Sequence, residues 1–131
     1  MRLLLDTHVW LWLQISPERI TAPVLEQLKS PENDLLLSAA SSWEIAIKHA
    51  IGKLSLPVPP AEYVPSRMRA GGVVGLPVEH RHALGVADLP PHHQDPFDRL
   101  LVSQALADGL TIVTVDPRIV QYGAPTLGAP G

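Results

Sequence analysis

Four acidic residues lie at positions from which their carboxylates could act on one substrate. Asp6 directly follows a short apolar run and Asp116 follows a run of β-branched residues, while Glu44 and Asp98 lie near the starts of two helical patterns. Clustered carboxylates bind Mg²⁺ or Mn²⁺, which keep several waters and also bind phosphate oxygens. A cation held in this way generates hydroxide from water and stabilises the charge on the attacked phosphorus. The chemistry that this set indicates is hydrolysis of phosphodiester bonds.

The electrostatic cost of gathering these acids favours a cation at the site. Two carboxylates about 4 Å apart repel by about 4 kcal/mol at an effective dielectric constant of about 20. The whole stability of a domain is only about 5–15 kcal/mol, so a bound cation must offset the repulsion. Because the sequence contains no cysteine, the metal ligands must be oxygen or imidazole.

Each acid, taken singly, also has a purely structural interpretation. Asp6 and Asp116 have the positions of helix caps or of an Asp-Pro turn. Glu44 matches a capping box that begins at Ser41, and it stands four residues before Lys48, the spacing of a helical ion pair. Both interpretations remain open at this point, and Glu44 can serve both purposes.

The helix that carries Asp98 has both of its ends marked in the sequence. Asp95 has the position of an N-cap, Pro96 that of the first helical residue, and Gly109 lies just past the end. Asp98, at the third helical position, is favoured by the positive end of the helix dipole whether or not it binds a metal.

Strand and helix patterns alternate along the chain, which predicts an α/β fold. Short apolar or β-branched runs predict strands at 3–5, 35–37, 73–78 and 111–115. The run at 73–78 contains Gly75 and Pro77, so we place it at an edge of the sheet. Amphipathic segments predict the helices at 7–13, 21–30, from 38 or 41 to about 51, 61–70, 80–87 and 96–108.

These elements predict a single domain over residues 1–131, a three-layer α/β/α sandwich. Its sheet is expected to be mainly parallel with four or five strands, followed by a Gly/Pro-rich tail from Gly123. Trp43, Ile47 and Ile51 recur at i, i+4 and i+8, which predicts the apolar stripe of their helix, and Trp43 is expected in the core or at an interface.

Composition excludes several classes of protein. Hydrophobic residues make up 46% and charged residues 18%, which excludes a disordered chain, and no apolar run approaches the roughly 20 residues of a membrane span. Asp6 and His8 interrupt the apolar start, so no signal peptide is predicted. The net charge of -3 means that local geometry and metal, not overall charge, would have to hold a nucleic acid.

Four motifs together resemble one family. They are L-L-D-T-H-V-W-L-W at 4–12, S-A-A-S-S-W-E-I-A-I-K-H-A-I-G-K-L at 38–54, L-P-P-H-H-Q-D-P-F-D-R-L-L-V-S-Q-A at 89–105 and T-V-D at 114–116. In combination they resemble the PIN-domain ribonucleases, specifically the VapC-type toxins of bacterial type II toxin-antitoxin pairs. The resemblance implies a Mg²⁺-dependent endoribonuclease that cleaves RNA, forms a homodimer and is held inactive by a cognate antitoxin. A cytoplasmic location fits the absence of cysteine.

The resemblance also implies a role for each acid. Asp6 and Asp98 would be the principal Mg²⁺ ligands, with Mn²⁺ as a possible substitute, and Asp116 would complete the site directly or through water. Glu44 would hold or activate the attacking water. Asp95 would cap its helix and leave metal binding to Asp98.

Several neighbouring polar residues are expected near these acids. Thr114 would be a hydrogen-bond partner of a carboxylate or a water. His93 and Arg99 could contact phosphate, and for Arg99 pairing with an acid is an equally open alternative. The His92-His93 pair is expected in a loop and not in a zinc site, because no third ligand has suitable spacing. In a homodimer, basic residues could form a groove beside the acids: Lys48, Lys53, Arg67 and Arg69.

Two other functions are alternatives to the nuclease. A phosphatase or phosphotransfer domain would need a nucleophilic aspartate in a D-x-D motif after the first strand, and the sequence lacks one there. A catalytically weak PIN-like interaction module, which only binds an antitoxin-like partner, would be favoured by loss of one acid. None of the four acids is missing.

Overall fold

Five short strands form one sheet in the computed structural model, which describes residues 1–128. Apolar runs form the inner strands because both faces of the sheet are covered by helices. Among these residues the strands are β1 (Arg2–Leu5), β2 (Asp34–Ser38), β3 (Val73–Leu76), β4 (Thr111–Val113) and β5 (Thr126–Leu127).

Helices connect the strands and cover both faces of the sheet. In order they are α1 (Thr7–Ile15), α2 (Ala22–Lys29), α3 (Ala39–Ala50), α4 (Pro60–Gly71), α5 (His80–Gly85), α6 (Pro96–Asp108) and α7 (Pro117–Val120). Short 3-10 turns follow α1 at Pro17–Arg19 and α5 at Val86–Asp88. Over the part of the chain that the structure describes, no helix has both the length and the apolar character needed to cross a bilayer.

The strand order is β3-β2-β1-β4-β5, and all four pairings are parallel. In the centre of the sheet, Leu4 of β1 lies opposite Leu36 of β2 on one side and Ile112 of β4 on the other. Parallel strands have their carboxyl ends at the same edge. This edge, called the carboxyl edge below, therefore receives whatever follows each strand.

Side chains alternate along β1 and divide the core between the two faces. Leu3 and Leu5 pack with Trp10 and other buried residues in one cluster. Leu4 packs on the opposite face with residues that include Leu101 of α6. Two buried clusters on one sheet form a three-layer sandwich, so the predicted fold class is confirmed.

The end of the chain differs from the prediction. Thr126–Leu127 forms a fifth strand within the segment expected to be a tail, and β4 ends at Val113, two residues earlier than predicted. The N–H groups of Ile112 and Thr114 donate to the carbonyls of Pro125 and Leu127, at 2.9 and 3.0 Å. The composition of this segment did not predict a strand, because its strand conformation depends on hydrogen bonds to β4 and not on its own residues. Residues 129–131 of the expected tail lie outside the described residues.

The core alternative for Trp43 on the apolar stripe of α3 is wrong, and the interface alternative stays a prediction. Trp43 is 61% exposed and Ile51 is 59% exposed, whereas Ser41, Glu44 and Ile45 are buried. The helix turns a face containing polar residues inward because that face borders the acids at the carboxyl edge. Trp43 and Ile51 are consequently left on the surface, whereas Ile47 between them is half-buried.

Candidate active site

Asp6 is held at the carboxyl edge by hydrogen bonds to both carboxylate oxygens. It directly follows β1 and caps α1, where its Oδ1 accepts from the His8 N–H at 3.0 Å. Its Oδ2 accepts from the hydroxyl of Thr114 at 2.7 Å. Both Asp6 and Thr114 are buried, so the carboxylate has one orientation.

Thr114 also connects Asp6 to Asp116. The Thr114 Oγ1 accepts from the backbone N–H of Asp116 at 3.0 Å, which links the residues that follow β1 and β4. Asp116 caps α7 by accepting from the Arg118 N–H at 2.9 Å. Although partial burial acts in the opposite direction, hydrogen bonds and charge from Arg118 hold the pKa of Asp116 below its usual value. The expected hydrogen-bonding position of Thr114 is thus observed.

Asp95 and Asp98 have different positions at the start of α6. The Asp95 Oδ1 accepts from the N–H groups of Phe97 and Asp98, at 2.8 and 3.3 Å, so Asp95 caps the helix as predicted. The side chain of Asp98 is buried and points toward the other acids. Burial and the negative charges of neighbouring carboxylates raise the pKa of Asp98 to about 8. The acids that contribute are Asp6, Asp95, Glu44 and Asp116.

Glu44 reaches the same edge from inside α3. The helix is capped by Ser38, whose Oγ accepts from the Ala40 N–H at 3.0 Å, so a capping box beginning at Ser41 is excluded. The expected ion pair is present, with Lys48 Nζ 2.6 Å from Glu44 Oε2. Within residues 1–128, the buried Oε1 of Glu44 has no hydrogen-bond partner. A buried oxygen without a partner is costly, so this atom favours a ligand at the site.

His93 lies between two of the acids, a position that the sequence did not predict. Its Nε2 is 2.8 Å from Asp98 Oδ2 and 3.0 Å from Asp116 Oδ2. Its Nδ1 accepts from the Asp95 N–H at 3.1 Å, so in the neutral ring Nε2 carries the proton and donates to the acids. Sequence spacing could not reveal this contact because Asp116 is 23 residues away along the chain.

Arg99 does not pair with an acid among the described residues. Its guanidinium donates to backbone carbonyls, which include those of Pro90 and Val86 at 3.1 Å, and to the hydroxyl of Tyr122 at 3.2 Å. These contacts fasten α6 to the loop that carries His93. The alternative in which Arg99 pairs with a carboxylate is therefore wrong, and contact with phosphate remains a prediction.

The geometry fits a divalent cation. Asp98 and Asp116 each offer one carboxylate oxygen, and these two oxygens and His93 Nε2 lie within 4.8 Å of one another. Because Nε2 carries the proton, His93 orients the two carboxylates and leaves metal binding to their oxygens. Asp6 lies beside them and contributes to the raised pKa of Asp98. Carboxylate oxygens are the ligands that Mg²⁺ and Mn²⁺ prefer. The structure thus brings the four sequence-predicted acids to one edge of the sheet and adds His93 to them.

A parallel α/β sandwich with a carboxylate cluster at its carboxyl edge defines a class of metal-binding α/β domains. Within this class, the chain belongs to the PIN domain family, because the model of that family matches residues 3–125. The family expected from the four motifs is confirmed.

Two proteins of similar sequence are ribonucleases from Mycobacterium tuberculosis (strain ATCC 25618 / H37Rv). Ribonuclease VapC16 is 58% identical over 50 residues, a match that covers 38% of this chain and spans only 36% of that relative's length. Ribonuclease VapC22 is 26% identical over 122 residues, which cover 93% of this chain and 92% of that protein.

Solved structures with the same fold include two protein complexes. The chain resembles one in the crystal structure of VapBC2 from Rickettsia felis bound to a promoter DNA fragment, with a TM-score of 0.68, 16% identity and 97% of each chain covered. It also resembles a chain in a toxin-antitoxin complex from Klebsiella pneumoniae, with a TM-score of 0.63, 13% identity and 95% and 94% covered. At these identities the likeness shows the fold.

Proposed function

We propose that this protein is a Mg²⁺-dependent endoribonuclease, the toxin of a type II toxin-antitoxin pair. The observation that carries the proposal is the convergence of Asp6, Glu44, Asp98 and Asp116 at one edge, where burial and the neighbouring negative charges raise the pKa of Asp98 to about 8. Such a cluster is costly without a cation and suits phosphodiester hydrolysis with one. The ribonuclease names of both relatives support the same activity.

The residues of the site have distinct proposed roles. Asp6, Asp98 and Asp116 hold Mg²⁺, for which Mn²⁺ can substitute, and Thr114 keeps the Asp6 carboxylate oriented toward the site. When bound, the cation would lower the pKa of a water molecule and would stabilise negative charge on the phosphate oxygens. Glu44, whose Oε2 is occupied by Lys48, uses its free Oε1 to orient the attacking water and accept its proton.

The test of this function is cleavage of a mixed RNA pool in the presence of Mg²⁺. Wild type is expected to cut the pool and Asp98→Asn to lose activity by about 10²-fold or more, since a charged ligand is lost. Asp34→Asn is the matched control, because Asp34 is exposed at the start of β2, at the opposite edge of the sheet. Equal cleavage by wild type and Asp98→Asn would refute the nuclease and favour the catalytically weak interaction module.

The proposal includes a cognate antitoxin as protein partner and RNA as substrate. The toxin-antitoxin complex with the same fold supports the antitoxin. Action in the cytoplasm is part of the same proposal, and a chain without cysteine is compatible with it. A cognate antitoxin is expected to suppress the cleavage measured above, and cleavage unchanged by a bound antitoxin would contradict its inhibitory role.

We also propose a homodimer formed through the exposed stripe of α3. Trp43 and Ile51 are largely exposed, and Phe97 extends the apolar surface by an edge-on contact with Trp43, with ring centroids 5.2 Å apart. An apolar patch can pair with its own copy across a two-fold axis. Light scattering should give a dimer for wild type and a monomer for Trp43→Ser, while Leu84→Ser, at another exposed apolar site, leaves the dimer intact. Equal masses for all three proteins would refute this interface.

A further inference from the structure

A cavity of about 330 Å³ opens beside Glu44. Its walls combine apolar side chains with a basic rim. The lining residues include the apolar Leu11, Ile45 and Leu54 and the basic Lys48 and Lys53. Small-molecule sites begin at about 300 Å³, so the cavity has room for about one nucleotide.

The end of α3 places Lys53 at this rim. The helix ends at Ala50, and Gly52 adopts a left-handed conformation with φ +77°. The turn is closed by a hydrogen bond from the Lys53 N–H to the Lys48 carbonyl at 2.8 Å. The backbone, and not a chance side-chain conformation, therefore brings the two lysines to the same cavity.

Lys53 differs from the other basic residues near the acids. Lys48 is paired with Glu44, and Arg118 is paired with Asp116. Lys53 is exposed, and among residues 1–128 it forms no ion pair. A polyanion approaching the carboxylate cluster is repelled by it, so an available ammonium group beside the cluster gives its phosphates a favourable contact.

We propose that this cavity binds the nucleotide adjacent to the scissile phosphate of RNA, an inference that rests on the proposed ribonuclease function. The base lies against Leu11 and Leu54, and the phosphate of that nucleotide pairs with Lys53. The apolar walls suit a nucleobase face, and the compact ammonium suits phosphate. Glu44 forms part of the cavity wall, which makes the cavity continuous with the acidic site.

The test is the salt dependence of binding to short single-stranded RNA of mixed sequence. Fluorescence anisotropy is measured with EDTA in the Asp98→Asn background, which prevents cleavage. The slope of log affinity against log salt should become shallower by about 0.7 in Lys53→Ala, since one phosphate contact is lost. Lys53→Arg should keep the parent slope. Lys29→Ala should also keep it, because Lys29 ends α2 near the opposite edge of the sheet.

The outcomes separate this subsite from the proposed function. If wild type cleaves RNA but Lys53→Ala keeps the parent slope, the subsite is refuted and the nuclease stands. If the slope becomes shallower in Lys53→Ala while wild type fails to cleave with Mg²⁺, RNA binding at this cavity is supported and the nuclease function is refuted. Equal slope changes in Lys53→Ala and Lys29→Ala would show only general charge attraction, and absence of RNA binding would overturn the subsite.

Discussion

Replacing Asp98 by asparagine is expected to stabilise the metal-free protein. Burial and four neighbouring acids raise the pKa of Asp98 from 3.8 to about 8. The folded state therefore binds a proton that the unfolded state has released near neutral pH, so stability falls as pH rises from about 4 to about 8 and is level above that. Asparagine is neutral in both states, and its Oδ1 can still accept from His93 Nε2.

The magnitude follows from the size of the shift. Near pH 7, the pH exceeds the unfolded-state pKa of 3.8 by about 3 units. At about 1.4 kcal/mol per unit, the protonation of Asp98 in the folded state then costs about 4 kcal/mol of folding stability. The hydrogen bond from His93 opposes the shift, so this figure is an upper bound and we expect about 2 kcal/mol. For a chain of this length that is a rise in melting temperature of about 8 °C, and near pH 5 the gain should fall below about 1 kcal/mol.

Thermal and urea unfolding followed by circular dichroism in EDTA measures this effect. Asp108→Asn is the matched control. Hydrogen bonds from Arg81 and His82 outweigh its partial burial and hold the pKa of Asp108 below its usual value. The same substitution there should destabilise the protein by about 0.5–1 kcal/mol, because a favourable ion pair is lost.

Mg²⁺ should reverse the order of stability of wild type and Asp98→Asn. A cation that binds the folded state raises the melting temperature of wild type and has a smaller effect on Asp98→Asn, because a ligand has been removed. The reasoning is refuted if Asp98→Asn is less stable than wild type in EDTA near both pH 5 and pH 7. It is also refuted if Mg²⁺ shifts both proteins equally.

Three further substitutions test single contacts of the structure. Thr114→Val should reduce cleavage by about 10-fold or more while the chain stays folded, because the carboxylate of Asp6 loses its Oδ2 donor; unchanged activity would argue against that role. His93→Ala should lower the melting temperature in EDTA and His93→Gln should recover part of the loss, since an amide can donate where Nε2 does; equal losses would contradict the bridging hydrogen bonds. Gly109→Ala should cost about 1 kcal/mol in urea unfolding at unchanged cleavage, because φ is +67°; no loss would show that the helix end relaxes.

Local patterns were sufficient to predict most of the helices and strands and to identify the four acids. The run at 3–5 is apolar and is followed directly by Asp6. That an aspartate follows a buried strand could therefore be predicted without the tertiary structure. Asp95, Pro96 and Gly109 mark the ends of α6 through caps and backbone conformation that depend on neighbouring residues only. The four motifs were also sufficient to predict the PIN domain family.

Contacts between residues that are distant in the chain could not be predicted in this way. The position of His93 between Asp98 and Asp116 depends on α6, its preceding loop and the end of β4 coming together. The pairing of β5 with β4 likewise creates a strand in a segment with turn-forming residues.

The orientation of α3 shows the physical reason most clearly. Its periodicity places Trp43 and Ile51 on one apolar stripe, yet the face with Glu44 lies inward, beside the acids. Helical periodicity reports which residues share a face, but contacts with other elements determine which face is turned inward. Long-range packing and charge therefore set the geometry of the site, although its four acids could be identified from local patterns.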